Sequence, residues 1–380
     1  MPIYLDYHAT TPVDPRVYAA MAPYFMEVFG NPASTSHPFG RQARAAVESA
    51  RQRIAAALNA SSPSEIVFTS GSTESNNLAI KGVARTCGAR GRHVVTAATE
   101  HKCVLNACKA LRDDGYDISI LPVGPDGSIT VAAVASALRA DTVLVSLMHA
   151  NNEIGVVHDI AAIGALCRAR GVLLHTDATQ SFGKLPVDVQ AMQVDLLSMS
   201  AHKMYGPKGV GALYVRSPCK LAPQLDGGGH EGGLRSGTLN VPGIVGLADA
   251  VVLACEDLEA DRRAQRVLRD RLWLALRAAL PTILLNGPDP IGDADRRLPN
   301  NLNVSIGGAA GDAVLAALGD DICVSTSSAC TSASGEASHV LTAIGRQPGL
   351  TNLRISVGRP TTAADIDAVV ACIERAAVRA

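Results

Sequence analysis

Short apolar runs alternating with amphipathic stretches predict an α/β fold, a mostly parallel β-sheet covered on both faces by helices. β-rich runs recur at Glu65–Thr69, His93–Ala97, Asp117–Leu121, Thr142–Met148, Val172–His175 and Leu196–Ser198, with helical spacing between most of them. Polar clusters follow several of these runs: Ser70 to Thr73, Thr99 to His101, Asn151 to Glu153, Asp177 to Gln180 and Ser200 to Lys203. In sheets of this kind the ligand sits beyond the carboxyl ends of the strands, where these clusters would fall.

Taken in order, Tyr4 to Pro15 reads as an irregular arm. Helical spacing begins near Arg16 and stops before Gly30-Asn31-Pro32, a strong breaker. Gly40 to Leu58 is an amphipathic helix carrying Arg41, Arg44, Arg51 and Arg53, a solvated face. After Glu65–Thr69 comes a small polar turn and a helical pattern from Glu74 to Arg85. Strand, turn and helix N-terminus together form an anion site, to which the hydroxyls of Ser72 and Thr73 add bonds. The same residues also suit an ordinary N-cap. Further on, the apolar run Asp195 to Met199 ends at Ser200 and presents His202 and Lys203, before Gly206, Pro207, Gly209 and Gly211 stop regular structure.

A lysine held in such a turn is partly desolvated, which lowers its pKa and frees the amine to add to a carbonyl. The aldehyde of pyridoxal phosphate (PLP) is the candidate, carried as a Schiff base on Lys203; taken alone, a lysine such as Lys203 is more often a solvated turn residue than a catalyst. Asp177, beside a pyridine nitrogen, would keep that nitrogen protonated and make the ring an electron sink. His101 could stack on the ring and move protons, or be a hydrogen-bonded loop histidine. Asn152 and Gln180 could donate to the ring oxygen.

From Pro242 to Leu280 the pattern is long and helical, with polar density rising after Glu256. Short strands at Ile283–Leu285, Asn303–Ile306, Ile322–Ser325 and Leu353–Val357 alternate with helices at Asp312–Leu318, His339–Ile344 and Ala363–Val378. This is a second α/β unit with a small sheet, to which the N-terminal arm is expected to return. Gly287 to Pro299 is a surface loop.

The chain has 380 residues, 47% hydrophobic and 18% charged, a globular composition long enough for about two to three domains. A net charge of -1 gives no general attraction to nucleic acid or anionic membrane, so no direct nucleic-acid binding is expected. Pro242 and Asp249 interrupt Val241–Cys255, the best candidate for a membrane span, and no export signal is visible at Met1 to Asp6. Nine scattered cysteines without a CxxC pair fit a cytoplasmic chain with free thiols and no metal site.

The residues also carry a family resemblance. The chain resembles cysteine desulfurases of the nitrogen-fixation and iron–sulfur cluster type, within the fold type I PLP enzymes. The matching stretches run in order: Leu5 to Pro12, Phe29 to Ser34, Thr69 to Ser75, Thr99 to His101, Asn151 to Gly155, Asp177 to Gln180, Ser200 to Lys203, Arg235 to Thr238, Ser328 to Ser332 and Leu353 to Ser356. The resemblance implies a large PLP-binding domain over 14–256 with a seven-stranded sheet, a small C-terminal domain over 257–380, and an arm, 1–13, joining them. It implies that Lys203 carries PLP, His101 stacks on the ring, Asp177 meets the ring nitrogen, and Gln180 and Asn152 contact the ring oxygen region. Ser72, Thr73, Ser200 and His202 hold the phosphate, and Thr238 reaches the phosphate of the neighbouring subunit of a homodimer. Arg354 clamps the substrate carboxylate, with Asn152 also beside the substrate.

The nucleophile implied is Cys330, in a run (Ser325 to Gly335) without large side chains that reads as a mobile segment. Cys323 fits a buried structural cysteine better. The expected reaction takes sulfur from L-cysteine, leaves alanine and a persulfide on Cys330, and hands the sulfur to an acceptor protein. Iron–sulfur cluster assembly, tRNA thiolation and DNA phosphorothioation are the pathways left open. Three departures stand out: Ser327 in place of the usual Gly, Gly232 in place of the usual Arg, and an end at Ala380 without the tail by which housekeeping members hold the iron–sulfur scaffold protein. Competing readings are an aminotransferase or selenocysteine lyase, which need no Cys330, and a PLP-binding sulfur-relay partner with little activity alone.

Overall fold

The computed structural model describes residues 2–326, 338–347 and 349–378. Cys330 and Ser327 lie outside the described residues. The described strands, in chain order, are β1 (Ile3–Tyr4), β2 (Ile66–Thr69), β3 (His93–Ala97), β4 (Asp117–Leu121), β5 (Thr142–Met148), β6 (Leu173–Asp177), β7 (Leu196–Ser200), β8 (Gly211–Val215), β9 (Leu284–Leu285), β10 (Asn301–Ile306), β11 (Ile322–Cys323) and β12 (Thr351–Ser356).

The large sheet has seven strands in the order β2-β8-β7-β6-β5-β3-β4. β3, β4, β5, β6 and β7 pair in parallel, and β8 lies antiparallel between β2 and β7. Helices on both faces leave its strands little exposed except at the edge strand β4, and β5 is buried at every residue of Thr-Val-Leu-Val-Ser-Leu-Met. The sheet was predicted as mostly parallel, and it is. β8 was the strand missed, because the glycines from Gly206 to Gly211 read as the end of regular structure. Gly211 instead opens β8 where the chain has no room for a side chain: a Cβ there would lie 2.4 Å from the Met199 carbonyl oxygen and 2.8 Å from the Gly71 Cα.

The long helical stretch after Pro242 is two helices, Val241–Glu256 and Leu258–Ala279, meeting at Asp257. Beyond them β12, β10 and β9 form a small antiparallel sheet with β10 in the middle. Leu302, Val304, Leu353, Ile355, Leu272, Trp273, Val369 and Ile373 pack on one another there. The N-terminal arm returns to this unit, as its sequence suggested. β1 pairs in parallel with β11, Asp6 bridges Ser356, and Leu5 is fully buried in the same core.

The arm then crosses to the large sheet. The Thr11 N–H and hydroxyl both donate to the His202 carbonyl (2.9 and 3.0 Å), and the Tyr205 N–H donates to the Thr11 hydroxyl (2.8 Å). One short segment thus ties the Lys203 turn to the small sheet.

Candidate active site

The polar clusters at the carboxyl ends of β2, β3, β5, β6 and β7 converge on one cavity of about 210 Å³. His8, Ser72, Thr73, His101, Asn152, Asp177, Gln180, His202, Lys203 and Arg354 all line it. Ser200 lines an adjoining cavity of about 370 Å³, shared with Ser72, Thr73 and His202. Thr238 is exposed and lines neither.

The adjoining cavity is built around a helix N-terminus. The helix Ser72–Cys87 starts after Gly71, whose φ of +146° is a conformation L side chains rarely adopt. The first N–H groups of the helix have no carbonyl one turn back, and Ser72, Thr73 and Ser200 add hydroxyls beside them. That is an anion cradle.

Asp177 ends β6, and its carboxylate is held at both oxygens. Asn76 Nδ2 donates to Oδ2 (2.7 Å) and the Thr179 N–H donates to Oδ1 (2.9 Å). Asn76 is fully buried one turn into the phosphate-facing helix. His101 is the N-cap of the helix Lys102–Asp113, where the Cys103 N–H donates to its Nδ1 (3.2 Å). The neutral ring therefore carries its proton on Nε2. Burial pushes this imidazole below its ordinary range, with Asp177 opposing the shift.

Lys203 sits in a single 3₁₀ turn after β7, and its Nζ donates to the His8 and Ala9 carbonyls, each at 2.7 Å. His8, from the arm, shares a 2.8 Å hydrogen bond between its Nδ1 and Gln180 Oε1, and Gln180 Nε2 donates to the His8 carbonyl at 3.1 Å. Gln180 is thus tied to His8 at both ends of its amide. Burial, and next Arg354, push the His8 ring well below its ordinary range. With Nδ1–H given to Gln180, His8 Nε2 is an acceptor with no protein partner among the described residues.

Arg354 is 2% exposed, projects from β12, and pairs with Asp6 (Nη2–Oδ1 2.7 Å) and the Asn152 carbonyl (3.3 Å). Its backbone exchanges two hydrogen bonds with Ser325. Beyond Cys330 in the chain, the Ser338 hydroxyl donates to Glu153 Oε2 (2.6 Å) and His339 Nε2 donates to the Glu100 carbonyl (2.9 Å).

These residues fit PLP. Asp177 is a carboxylate for a pyridinium nitrogen, Lys203 an amine for the aldehyde, and the Gly71–Thr73 cradle a seat for the phosphate. Sequence reasoning did not single out His8, Asn76, Asp6 or Thr179. His8 and Asp6 lay inside a matched stretch, and Asn76 stands three and four residues beyond Thr73 and Ser72, on one helix face with the cradle.

A lysine, a carboxylate and an imidazole set over the strand ends beside a phosphate cradle define a fold type I PLP-dependent enzyme. The chain belongs to the aminotransferase class-V family, matched over residues 3–369, and PLP is its cofactor. It is 54% identical over 376 residues to a protein named cysteine desulfurase IscS from Anaeromyxobacter sp. (strain Fw109-5), covering 97% of this chain and 91% of that one. A solved structure titled NifS-like protein superposes with a TM-score of 0.90 at 37% identity, covering 99% of each chain. Another, titled SspA in complex with cysteine, gives a TM-score of 0.81 at 38% identity, covering 95% of this chain and all of that one.

Proposed function

We propose that this chain is a cysteine desulfurase that strips the sulfur from L-cysteine, releases alanine and stores the sulfur as a persulfide on Cys330. The observation that carries it is the single cavity joining Lys203, Asp177 and His101 to Arg354, whose strand pairs with the segment leading to Cys330. Bound PLP supplies the electron sink that makes the carbon–sulfur bond of the substrate breakable.

The chain's own residues do the rest. Asp177, fixed by Asn76 and Thr179, would hold the ring nitrogen protonated, and Gln180 and Asn152 would sit on the ring oxygen side. Ser72, Thr73, Ser200 and His202, which line one cavity, would hold the phosphate. Arg354 binds the substrate carboxylate through its planar fork, its charge already balanced by Asp6. Lys203 Nζ and His101 Nε2 move protons to and from the substrate. The Cys330 thiolate attacks the substrate sulfur: a sulfur–sulfur bond forms, the carbon–sulfur bond breaks, and its electron pair stays with the carbon fragment that becomes alanine.

The persulfide then passes to an acceptor protein. The working form is a homodimer in the cytoplasm, with Thr238, on an exposed loop, reaching the partner's phosphate. The large domain ends near Glu256, where one helix gives way to the next; cores on the large sheet draw on residues before it, and the third core on residues from Leu268 onward plus the arm.

Alanine production from L-cysteine by the purified, PLP-loaded protein tests this directly. Cys330→Ala should abolish it; retained turnover would point to an aminotransferase or lyase.

A further inference from the structure

Lys184 lies seven residues beyond Asp177, in the turn that closes behind β6, and is 6% exposed. Its Nζ donates to the backbone carbonyl of Lys203 at 3.1 Å. Lys203 lines two cavities, the one described above and a small one on which Lys184, Tyr7, Thr11, Tyr205 and Gln265 also border; Lys184 lines only the second. Two lysines are therefore built around one turn, one facing the substrate side and one behind it. A buried ammonium is costly, and one set beside a second amine disfavours two charges at once. The opposing carboxylate acting on Lys184 is Asp261.

We propose that Lys184 is a positioning residue for Lys203: it anchors the backbone of the Lys203 turn and, as a like charge, biases the Lys203 amine toward its neutral, nucleophilic form. A lysine next to another cationic group is one of the standard ways to activate an amine. In agreement, burial first and Lys203 second bring the Lys184 amine down to about 7. Other groups acting on the pair or its neighbours are Asp177, Arg354 and Lys208 and the imidazoles of His8, His101 and His202. Asp261 is itself paired with Arg359 (2.6 Å), which borders the small cavity together with the two lysines.

Resting on the assignment of Lys203 as the cofactor lysine, the test reads the amine without PLP. The full-length apoprotein is briefly acetylated with acetic anhydride, which reacts only with neutral amines, across neutral to alkaline pH, and the Lys203 peptide is quantified by mass spectrometry. In Lys184→Met the Lys203 profile should move to higher pH by about one unit, making labelling about tenfold slower at neutral pH. Lys184→Arg, which keeps the charge, should stay near wild type. Should Lys184→Met not fold, Lys184→Gln carries the same expectation. A Lys203 profile that does not move when the charge is removed, or that moves as far in Lys184→Arg, overturns the proposal. Failure of the underlying assignment shows separately, as a Lys203 that added PLP does not shield from the reagent.

Discussion

Asn76 offers the sharpest test of how the cofactor is held. Its side chain touches neither the cradle nor the lysine; it acts through Asp177, donating at 2.7 Å to one carboxylate oxygen from a fully buried position. Asn76→Ala removes one of the two donors that fix Asp177 and leaves that oxygen unpaired. A hydrogen bond to a charged group is worth about 1.5–3 kcal/mol. If that energy fixes Asp177 against the ring nitrogen, PLP affinity falls about 10- to 150-fold. Equilibrium titration of the apoprotein with PLP, followed by visible absorption, measures the change. Asn77→Ala, in the next helical position, where the side chain donates to the Thr73 carbonyl of its own helix, is the control and should bind normally. A folded Asn76→Ala protein with wild-type PLP affinity would refute the positioning role given to Asn76.

Further consequences follow from burial and charge. Lys184 has its amine lowered from 10.5 to about 7, so the native state binds fewer protons than the unfolded chain between those values and wild-type stability rises with pH across that window. Lys184→Met should be more stable than wild type by a few kcal/mol, on the order of 3–5 at most, at and below neutral pH, and the gain should shrink toward pH 10; denaturant unfolding at two pH values checks the sign. His101 is held below the ordinary imidazole range, so it is neutral at pH 7, and the acid limb of activity against pH should lie below 6.5. His101→Gln should lose that limb together with most of the rate. Glu231, with its side chain 1% exposed, accepts from both Arg51 nitrogens (2.8 and 2.7 Å) and from the Phe68 N–H (2.7 Å). Glu231→Gln should cost about 3 kcal/mol in unfolding free energy, since it removes the buried carboxylate facing Arg51 and leaves that charge only the more exposed Glu48 at 3.4 Å.

Much of this site was legible because its residues sit where strands stop. The runs before Thr99, Asn151, Asp177 and Ser200 are apolar and short, so the polar residue after each falls at a sheet edge whatever the tertiary detail. β8 was hidden for the opposite reason: its glycine answers a close approach to Met199 and Gly71, two segments that no local pattern links to it. The same holds for partners. His8 meets Gln180 across 172 positions and Asp6 meets Arg354 across 348, distances at which spacing says nothing. Lys184 left a signal that could have been read, a lone lysine between Phe182-Gly183 and Leu185-Pro186-Val187. Gly232, which the sequence marked as a departure, adopts φ +64° with open space around its Cα, so a side chain there meets backbone strain and no clash.

The most direct measurement concerns where the sulfur goes. The PLP-loaded protein is given one equivalent of L-cysteine labelled with ³⁵S in the absence of reductant, and each of its nine cysteines is mapped by alkylation and mass spectrometry. One extra, labelled sulfur atom on Cys330, with a matching yield of alanine, is the predicted result. Alanine formed with the label on another cysteine, or with none bound to the protein, would contradict it.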